Sequence, residues 1–293
     1  MPDIAEPIRI ISDVHLGHPA CILRSADQLR PIFEGARTVI FNGDSAELRY
    51  KAGHTHGLEN YIALEKTARL CGATPIFING NHDPESAHLD HLDLCENRIL
   101  VTHGDLLYHE IAPWGDHAGF LANKHSEALA ALPSESLQHF ESRLRANKAA
   151  SIALFLHEPD LPRGQFARFL THLQTLWPPW KPFALIRIWT ETPGMAAALA
   201  EKFRPQAKCV IFGHTHWAGV WQRRRRTIIN TGGYLSVLGR SCVEIHDGTL
   251  RVFRVERKKE AFALGKLLWT SPDGFLSTPE PVGIPPSQND GQT

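Results

Sequence analysis

The sequence predicts an α/β fold organised around a layered sheet, and three observations carry that prediction. Apolar runs of strand length alternate with helical stretches in the first part of the chain, in the order strand, helix, strand, helix, strand. Five such runs end in short polar motifs, where open α/β sheets place their ligand sites. Beyond Gly213 the character changes to consecutive strands.

The elements follow in order. Ile8 to Ile11 runs into Ser12-Asp13-Val14-His15. Ser25, with Gln28 three residues on, forms a capping box ahead of a helix over Leu29 to Glu34. Thr38 to Phe41 leads into Asn42-Gly43-Asp44, and Leu58 to Leu70 has apolar residues at helical spacing before Gly72. Pro75 to Ile78 runs into Asn79-Gly80-Asn81-His82-Asp83, Arg98 to Thr102 into His103-Gly104-Asp105, and Cys209 to Phe212 into Gly213-His214-Thr215-His216. From about residue 114 to 208 the rhythm becomes helical: Leu137 to Leu156, Gln165 to Leu176, and a third helix capped by Thr192-Pro193 and running through Met195 to Phe203. A helical block inserted between two site-bearing strands reads as a cap insertion over the site, the alternative being a layer over one sheet face. The prolines of Trp177 to Pro182 exclude a helix interior and predict an exposed aromatic loop. Strands are expected at Trp217 to Gln222, Thr227 to Asn230, Cys242 to Ile245 and Leu250 to Val255, the last two joined by Asp247-Gly248, a pair suited to a type I′ turn. One domain therefore spans residues 1–276, and residues 277–293, with four prolines and little apolar material, read as a disordered tail.

Composition narrows the function. The 293 residues carry 31 Lys+Arg against 31 Asp+Glu, a formal charge of zero that disfavours a nucleic-acid partner. No uncharged apolar run reaches the roughly 18 residues of a membrane span, and the N-terminus lacks the pattern of a signal peptide. The five cysteines form no CxxC pair and read as small buried hydrophobes, which points to a cytoplasmic protein. Histidine is the unusual count, at 17, and histidine is the commonest metal ligand.

The five strand-end motifs supply Asp13, His15, Asp44, Asn81, His103, His214 and His216, seven oxygen and nitrogen donors without a cysteine. Seven polar groups converging on one sheet edge are costly to desolvate unless cations or substrate satisfy them, so the set reads as a metal centre. Mixed imidazole, carboxylate and amide donors suit Mn²⁺, Fe or Zn²⁺ better than Ca²⁺, and the sequence does not choose among them.

In their order, D-x-H, G-D, G-N-H-D, H and G-H-x-H, these motifs resemble the calcineurin-like metallophosphoesterases over roughly residues 8–115 and 205–256. The resemblance implies a two-sheet αββα sandwich with the helical cap inserted, and a dinuclear site at one edge. It implies that Asp13, His15 and His216 hold one divalent ion, that Asn81, His103 and His214 hold the other, and that Asp44 bridges them. His82 would sit beside the scissile phosphate as a catalytic group, with Asp83 supporting its loop and Asn81 also binding substrate. The implied reaction is hydrolysis of a phosphomonoester, phosphodiester or diphosphate by hydroxide held between two cations.

Subfamily signals are fewer. The Asp-Arg-Gly of the protein Ser/Thr phosphatases is absent after Asp44. The G-D-x-x-E of Gly43 to Glu47, the V-T-H-G-D block and the helical insert are similar to UDP-diacylglucosamine diphosphatases, which implies a lipid-linked nucleotide as partner and peripheral membrane contact; that group typically has arginine where this chain has His82. A member that keeps the fold as a non-catalytic scaffold is a further alternative, although such members lose ligands. Arg223 to Arg226 lies between two strands, where Arg223 and Arg224 would meet substrate phosphates or an anionic surface, or form a solvated hairpin tip. His54 and His56 would line the rim of the site or lie on the surface, and His18 would stand behind the ligands.

Overall fold

A computed structural model describes residues 4–48, 54–157, 181–235 and 239–276. Two mixed sheets pack face to face with helices on both outer faces, the αββα sandwich that the resemblance implies. The first sheet has six strands, ordered β11-β10-β9-β1-β2-β3. They are β1 (Ile8–Ile11), β2 (Thr38–Asn42), β3 (Thr74–Ile78), β9 (Ser241–His246), β10 (Thr249–Lys258) and β11 (Ala261–Thr270). The second has five, ordered β4-β5-β6-β8-β7: β4 (His91–Leu94), β5 (Ile99–Thr102), β6 (Cys209–Phe212), β7 (Gly219–Arg223) and β8 (Arg226–Asn230). β1, β2 and β3 are parallel neighbours, as are β5, β6 and β8, so each trio ends at the same edge of the sandwich.

Alternation along each strand decides what goes where. Ile8, Ile10, Ile40, Ile76 and Ile78 of the first sheet meet Ile99, Val101, Ile211 and Ile229 of the second in one buried cluster between the sheets. Each such side chain contributes about 1.5–3 kcal/mol when fully buried. The opposite face of the first sheet presents Ile11, Val39 and Phe41 to Leu29, Ile32 and Phe33 of a 3-10 turn and the short α1 (Arg30–Phe33), and to Leu64 and Ala68 of α2 (His54–Leu70). The capping position is as expected: Gln28 Oε1 accepts from the Ser25 and Arg24 backbone N–H groups. Asp247 and Gly248 both have positive φ, as a type I′ turn requires.

The insert contains α3 (Ala118–Ala130), α4 (Phe140–His157) and α5 (Lys181–Phe203). Ala196, Ala197 and Ala200 of α5, with Phe140 and Leu144 of α4, pack on Leu100, Val210, Phe212 and Ile228 and cover the outer face of the second sheet. The α5 helix therefore forms the fourth layer, the sheet-facing alternative, while α3 and α4 pair with each other around Leu121, Ala150 and Leu154.

One boundary is corrected. Thr192-Pro193 does not start a helix; α5 begins at Lys181 and passes through Pro193. Pro193 removes the backbone bond to the Trp189 carbonyl, while the neighbouring Ile188 carbonyl accepts from the Thr192 hydroxyl at 2.6 Å and the Tyr108 hydroxyl at 3.2 Å. One lost bond in a 23-residue helix packed on the sheet is outweighed by that packing, so what reads locally as a start signal is overridden. The Gln165 to Leu176 helix, the tryptophans of the Trp177 to Pro182 loop and the tail 277–293 lie outside the described residues.

Candidate metal centre

The site forms where β1, β2, β3, β5 and β6 end, and at the ends of β1, β2 and β6 the donors themselves sit in a left-handed kink. Asp13, His15, Asp44, His214 and His216 all have φ between 46° and 65°. Aspartate and histidine are among the few non-glycine types that tolerate this region, and such residues gather at functional sites. Backbone pairing locks the kinks together: His15 N–H donates to the Asp44 carbonyl at 2.8 Å, and Gly213 N–H to the His103 carbonyl at 2.9 Å.

The donors fall into two groups, Asp13, His15 and His216 on one side, Asp44, His103 and His214 on the other, and a third group, His15, Asp44 and His82, overlaps both. His216 Nε2 lies 3.1 Å from Asp13 Oδ1 and 3.3 Å from His15 Nε2. On the second side, His103 Nε2 lies 3.1 Å from Asn81 Oδ1. Asp44 Oδ2 stands between the groups, 3.5 Å from His15 Nε2 and 3.4 Å from His103 Nε2. All seven predicted donors are thus brought to one place. Asp13 and Asp44 are buried, and their ion-pair partners among the described residues are imidazoles.

These residues fit a pair of divalent cations. Burial pushes the Asp13 and Asp44 carboxyls up, but His216 and His103 pull harder and hold both below the usual range. Burial holds the His214 ring down to about 3, so it is a neutral imidazole with a lone pair to offer. Buried anions facing neutral or titratable rings, with no lysine or arginine paired to them, make a cluster that permanent cations would stabilise.

Around the donors, backbone groups fix their orientation. His103 Nδ1 donates to the Asn42 carbonyl at 3.1 Å and His214 Nε2 to the Ile111 carbonyl at 2.7 Å. Asp83 accepts from the backbone N–H of Gly80, Asp44 and Ser45 at 2.7, 3.0 and 2.7 Å, tying the third strand-end loop to the second. Burial and the neighbouring Asp44 charge raise its carboxyl to about 7. The loops approach so closely that a methyl on Gly80 would overlap Asp44.

Glu47 has a role that the sequence left unread. It is buried, lies 3.0 Å from His82 Nδ1 and 3.8 Å from His15 Nδ1, and is held well below its usual range, burial being outweighed by His82 and His15. The available signal was the G-D-x-x-E motif of Gly43 to Glu47, read above only as a mark of subfamily and without a role for the glutamate. His18 stands behind the donors, its ring centroid 5.9 Å from that of His15, and burial lowers it to about 3.

Arg223 and Arg224 are corrected. β8 runs parallel to β6, so the hairpin tip before it sits at the strand end opposite the donors. Arg224 there pairs with Glu201 at 2.6 Å. The solvated hairpin tip is the reading that agrees with this placement. His56 is on the surface, paired with Glu59, and does not line the site.

The family model for calcineurin-like phosphoesterases matches residues 6–218. No curated protein matches the chain. Among solved structures, the chain is similar to Vps29 of Chaetomium thermophilum (11% identity, 92% of this chain and 100% of that one, TM-score 0.43). It is also similar to a dimetal phosphatase of Danio rerio (12%, 86% and 96%, TM-score 0.42) and to a predicted phosphoesterase of Streptococcus pneumoniae (15%, 92% and 100%, TM-score 0.37).

Proposed function

The chain belongs to the calcineurin-like phosphoesterase family, and from that premise we propose that it is a dinuclear-metal phosphoesterase whose ligands are Asp13, His15, Asp44, Asn81, His103, His214 and His216. The observation that carries this reading is the place of Asp44, one carboxylate oxygen nearly equidistant from an imidazole of each donor group. Two cations bound there, Mn²⁺ first among the candidates, would neutralise the ester oxygens and lower the pKa of a water between them.

The rest of the work belongs to the chain. Asn81 presents an amide whose oxygen suits a cation and whose nitrogen can donate to a phosphate oxygen. His82 supplies the proton for the leaving oxygen. Glu47, accepting at Nδ1, fixes the His82 tautomer and leaves Nε2 to exchange that proton. Asp83 holds the Gly80 to His82 backbone against the Asp44 loop, so the histidine and the bridging carboxylate keep a fixed relation. His82 N–H donates to Asp44 Oδ1 at 2.8 Å and strengthens that relation.

For the substrate we propose a phosphate ester or diphosphate, with a lipid-linked nucleotide diphosphate as the narrower reading. Leu156, Phe183 and Ile186, exposed on the insert helices, favour the narrower one as a surface that acyl chains or a membrane would cover. None of the described helices is long and apolar enough to cross a membrane. A cytoplasmic location and peripheral contact, with α3 and α4 as the cap, belong to the same proposal. The test is to strip metal with a chelator, measure metal stoichiometry on refilling, and assay a generic aryl phosphodiester with Mn²⁺ restored. Two bound equivalents with activity support the enzyme; a chain that binds no metal and hydrolyses nothing sinks it, and a scaffold role would take its place.

A further inference from the structure

Ile111 combines three observations that ordinary packing does not require together. Its φ is +60°, a left-handed conformation in which a β-branched residue is a genuine outlier. Its side chain is fully buried in the core of the helical pair, against Leu121 of α3 and Ala150 and Leu154 of α4. Its carbonyl, facing the other way, accepts the Nε2–H of His214 at 2.7 Å. Glycine or asparagine would take this backbone conformation more readily; isoleucine is useful there because it places an apolar anchor in the α3–α4 core while its carbonyl stays on the histidine.

A backbone carbonyl only accepts, so this bond sets the His214 tautomer: the proton sits on Nε2 and the Nδ1 lone pair is free for an ion. The Trp114 ring, three residues on in the same loop, stands 5.0 Å from the His214 ring and limits its rotation. Asn147 of α4 donates to Asp105 Oδ2 at 2.5 Å, two residues after His103, and fastens the same helical pair to the other imidazole of this donor group. The Asp13–His15–His216 group meets the insert through α5 instead, where Trp189 Nε1 donates to the Thr215 carbonyl at 3.1 Å, and has no such link to the α3–α4 pair among the described contacts.

We propose that Ile111 is a positioning residue that couples the α3–α4 pair to one half of the metal centre, seating its side chain in the core of the pair and orienting His214 through its carbonyl. The inference rests on the dinuclear reading above. It makes the α3–α4 pair a device that tunes the Asp44–His103–His214 position selectively, so that whatever repacks α3 against α4 changes cation affinity there and not at the neighbouring position.

The test uses the full chain, stripped of metal and titrated calorimetrically with Mn²⁺, with Co²⁺ absorption as a second readout of the donor geometry. Ile111→Gly keeps the carbonyl and relieves the backbone but removes the anchor. Leu154→Ala loosens the same core without touching the histidine, and Ile111→Val keeps most of the anchor. In the glycine and Leu154→Ala variants one of the two equivalents should weaken about 10–100-fold, the range for lost outer-shell partners. The other should stay unchanged and Ile111→Val should stay near the parent. Thermal unfolding of the stripped proteins identifies any variant that fails to fold, and Ile111→Val with Leu154→Ala then decides. Equal weakening of both equivalents, or of neither, overturns the coupling while leaving the dinuclear reading intact. A parent chain that binds no pair of cations overturns both.

Discussion

Replacing Gly80 by alanine isolates one contact at the middle of the centre. Gly80 does not have a positive φ, so alanine fits its backbone, and the perturbation is the methyl alone. Built on the backbone, that carbon lies 2.2 Å from Asp44 Oδ1 and 2.4 Å from the Asp44 backbone nitrogen. To regain ordinary contact, at 3.4 Å, the carboxylate must retreat by about 1.2 Å. Such a shift breaks the 2.8 Å bond from His82 N–H to Asp44 Oδ1, a loss of about 1.5–3 kcal/mol for a bond to a charged group. Overpacking adds about 1–3 kcal/mol. A 1 Å displacement at a reacting centre costs on the order of 100-fold in rate. We expect Gly80→Ala to lose roughly 3–5 kcal/mol in urea unfolding of the chelated protein, to retain less metal after dialysis, and to turn over an aryl phosphodiester about 100-fold more slowly. The control is Gly72→Ala, where φ is +81° but nothing lies within 4 Å. It should cost about 1 kcal/mol through backbone strain and leave turnover alone. A Gly80→Ala protein with both metals held normally and full activity would refute the claim that close approach of the loops places Asp44.

Changing His82 to alanine should lower turnover by about 10²–10⁴-fold with metal content retained, as loss of a general acid does; metal analysis that shows an ion missing would make it a ligand instead. Chelation should lower the melting temperature. Refilling should raise stability by about 2.7 kcal/mol per site when free metal reaches a hundred times Kd, and a melting curve indifferent to chelator and metal would contradict this. Away from the centre, Asp93 bonds Arg204 at 2.9 Å and lies near His91; burial raises its carboxyl, but His91 and Arg204 prevail and hold it low. A depressed carboxyl contributes its stability above the unfolded value near 3.9 and loses it as pH falls through the folded one. Asp93→Asn should therefore cost about 1–2 kcal/mol at neutral pH, a gap that narrows below about pH 4. A gap constant in urea unfolding across that range would show that the charge does not matter.

Most of the candidate site was legible because its residues sit in short motifs at strand ends, and the strand runs before them are strongly apolar. Asp13, His15, Asp44, Asn81, His103, His214 and His216 needed no tertiary information beyond the order of strands. What the sequence hid depends on contacts from far away. β4 reads as His-Leu-Asp-Leu, and its polar residues are held by Arg204 from the end of α5 and by Glu141 of α4. β11 carries Gly265 in mid-strand and pairs with β10 through two register shifts, so its pattern is broken locally. The α5 helix passes a proline because burial of Ala196, Ala197 and Ala200 on the second sheet, far away in sequence, outweighs one lost backbone bond. Glu47 was invisible as a functional group because a single carboxylate shows no partner until His82 and His15 are folded beside it. The arginine run misled by proximity in sequence: it follows G-H-T-H closely, but one strand's length carries it to the far end of the sheet.

His15 and His216, whose ring nitrogens are 3.3 Å apart, are separated by 201 positions in the chain. Read as a timetable of synthesis at about 5–20 residues per second, that separation is roughly ten to forty seconds. During this interval Asp13, His15 and Asp44 have left the ribosome before the Gly213 to His216 loop exists. An early, incomplete set of oxygen and imidazole donors is a weaker and less selective chelator than the finished one. Cation uptake would thus mark the emergence of that loop, and a ribosome-bound fragment ending before Gly213 should show little affinity for a second ion.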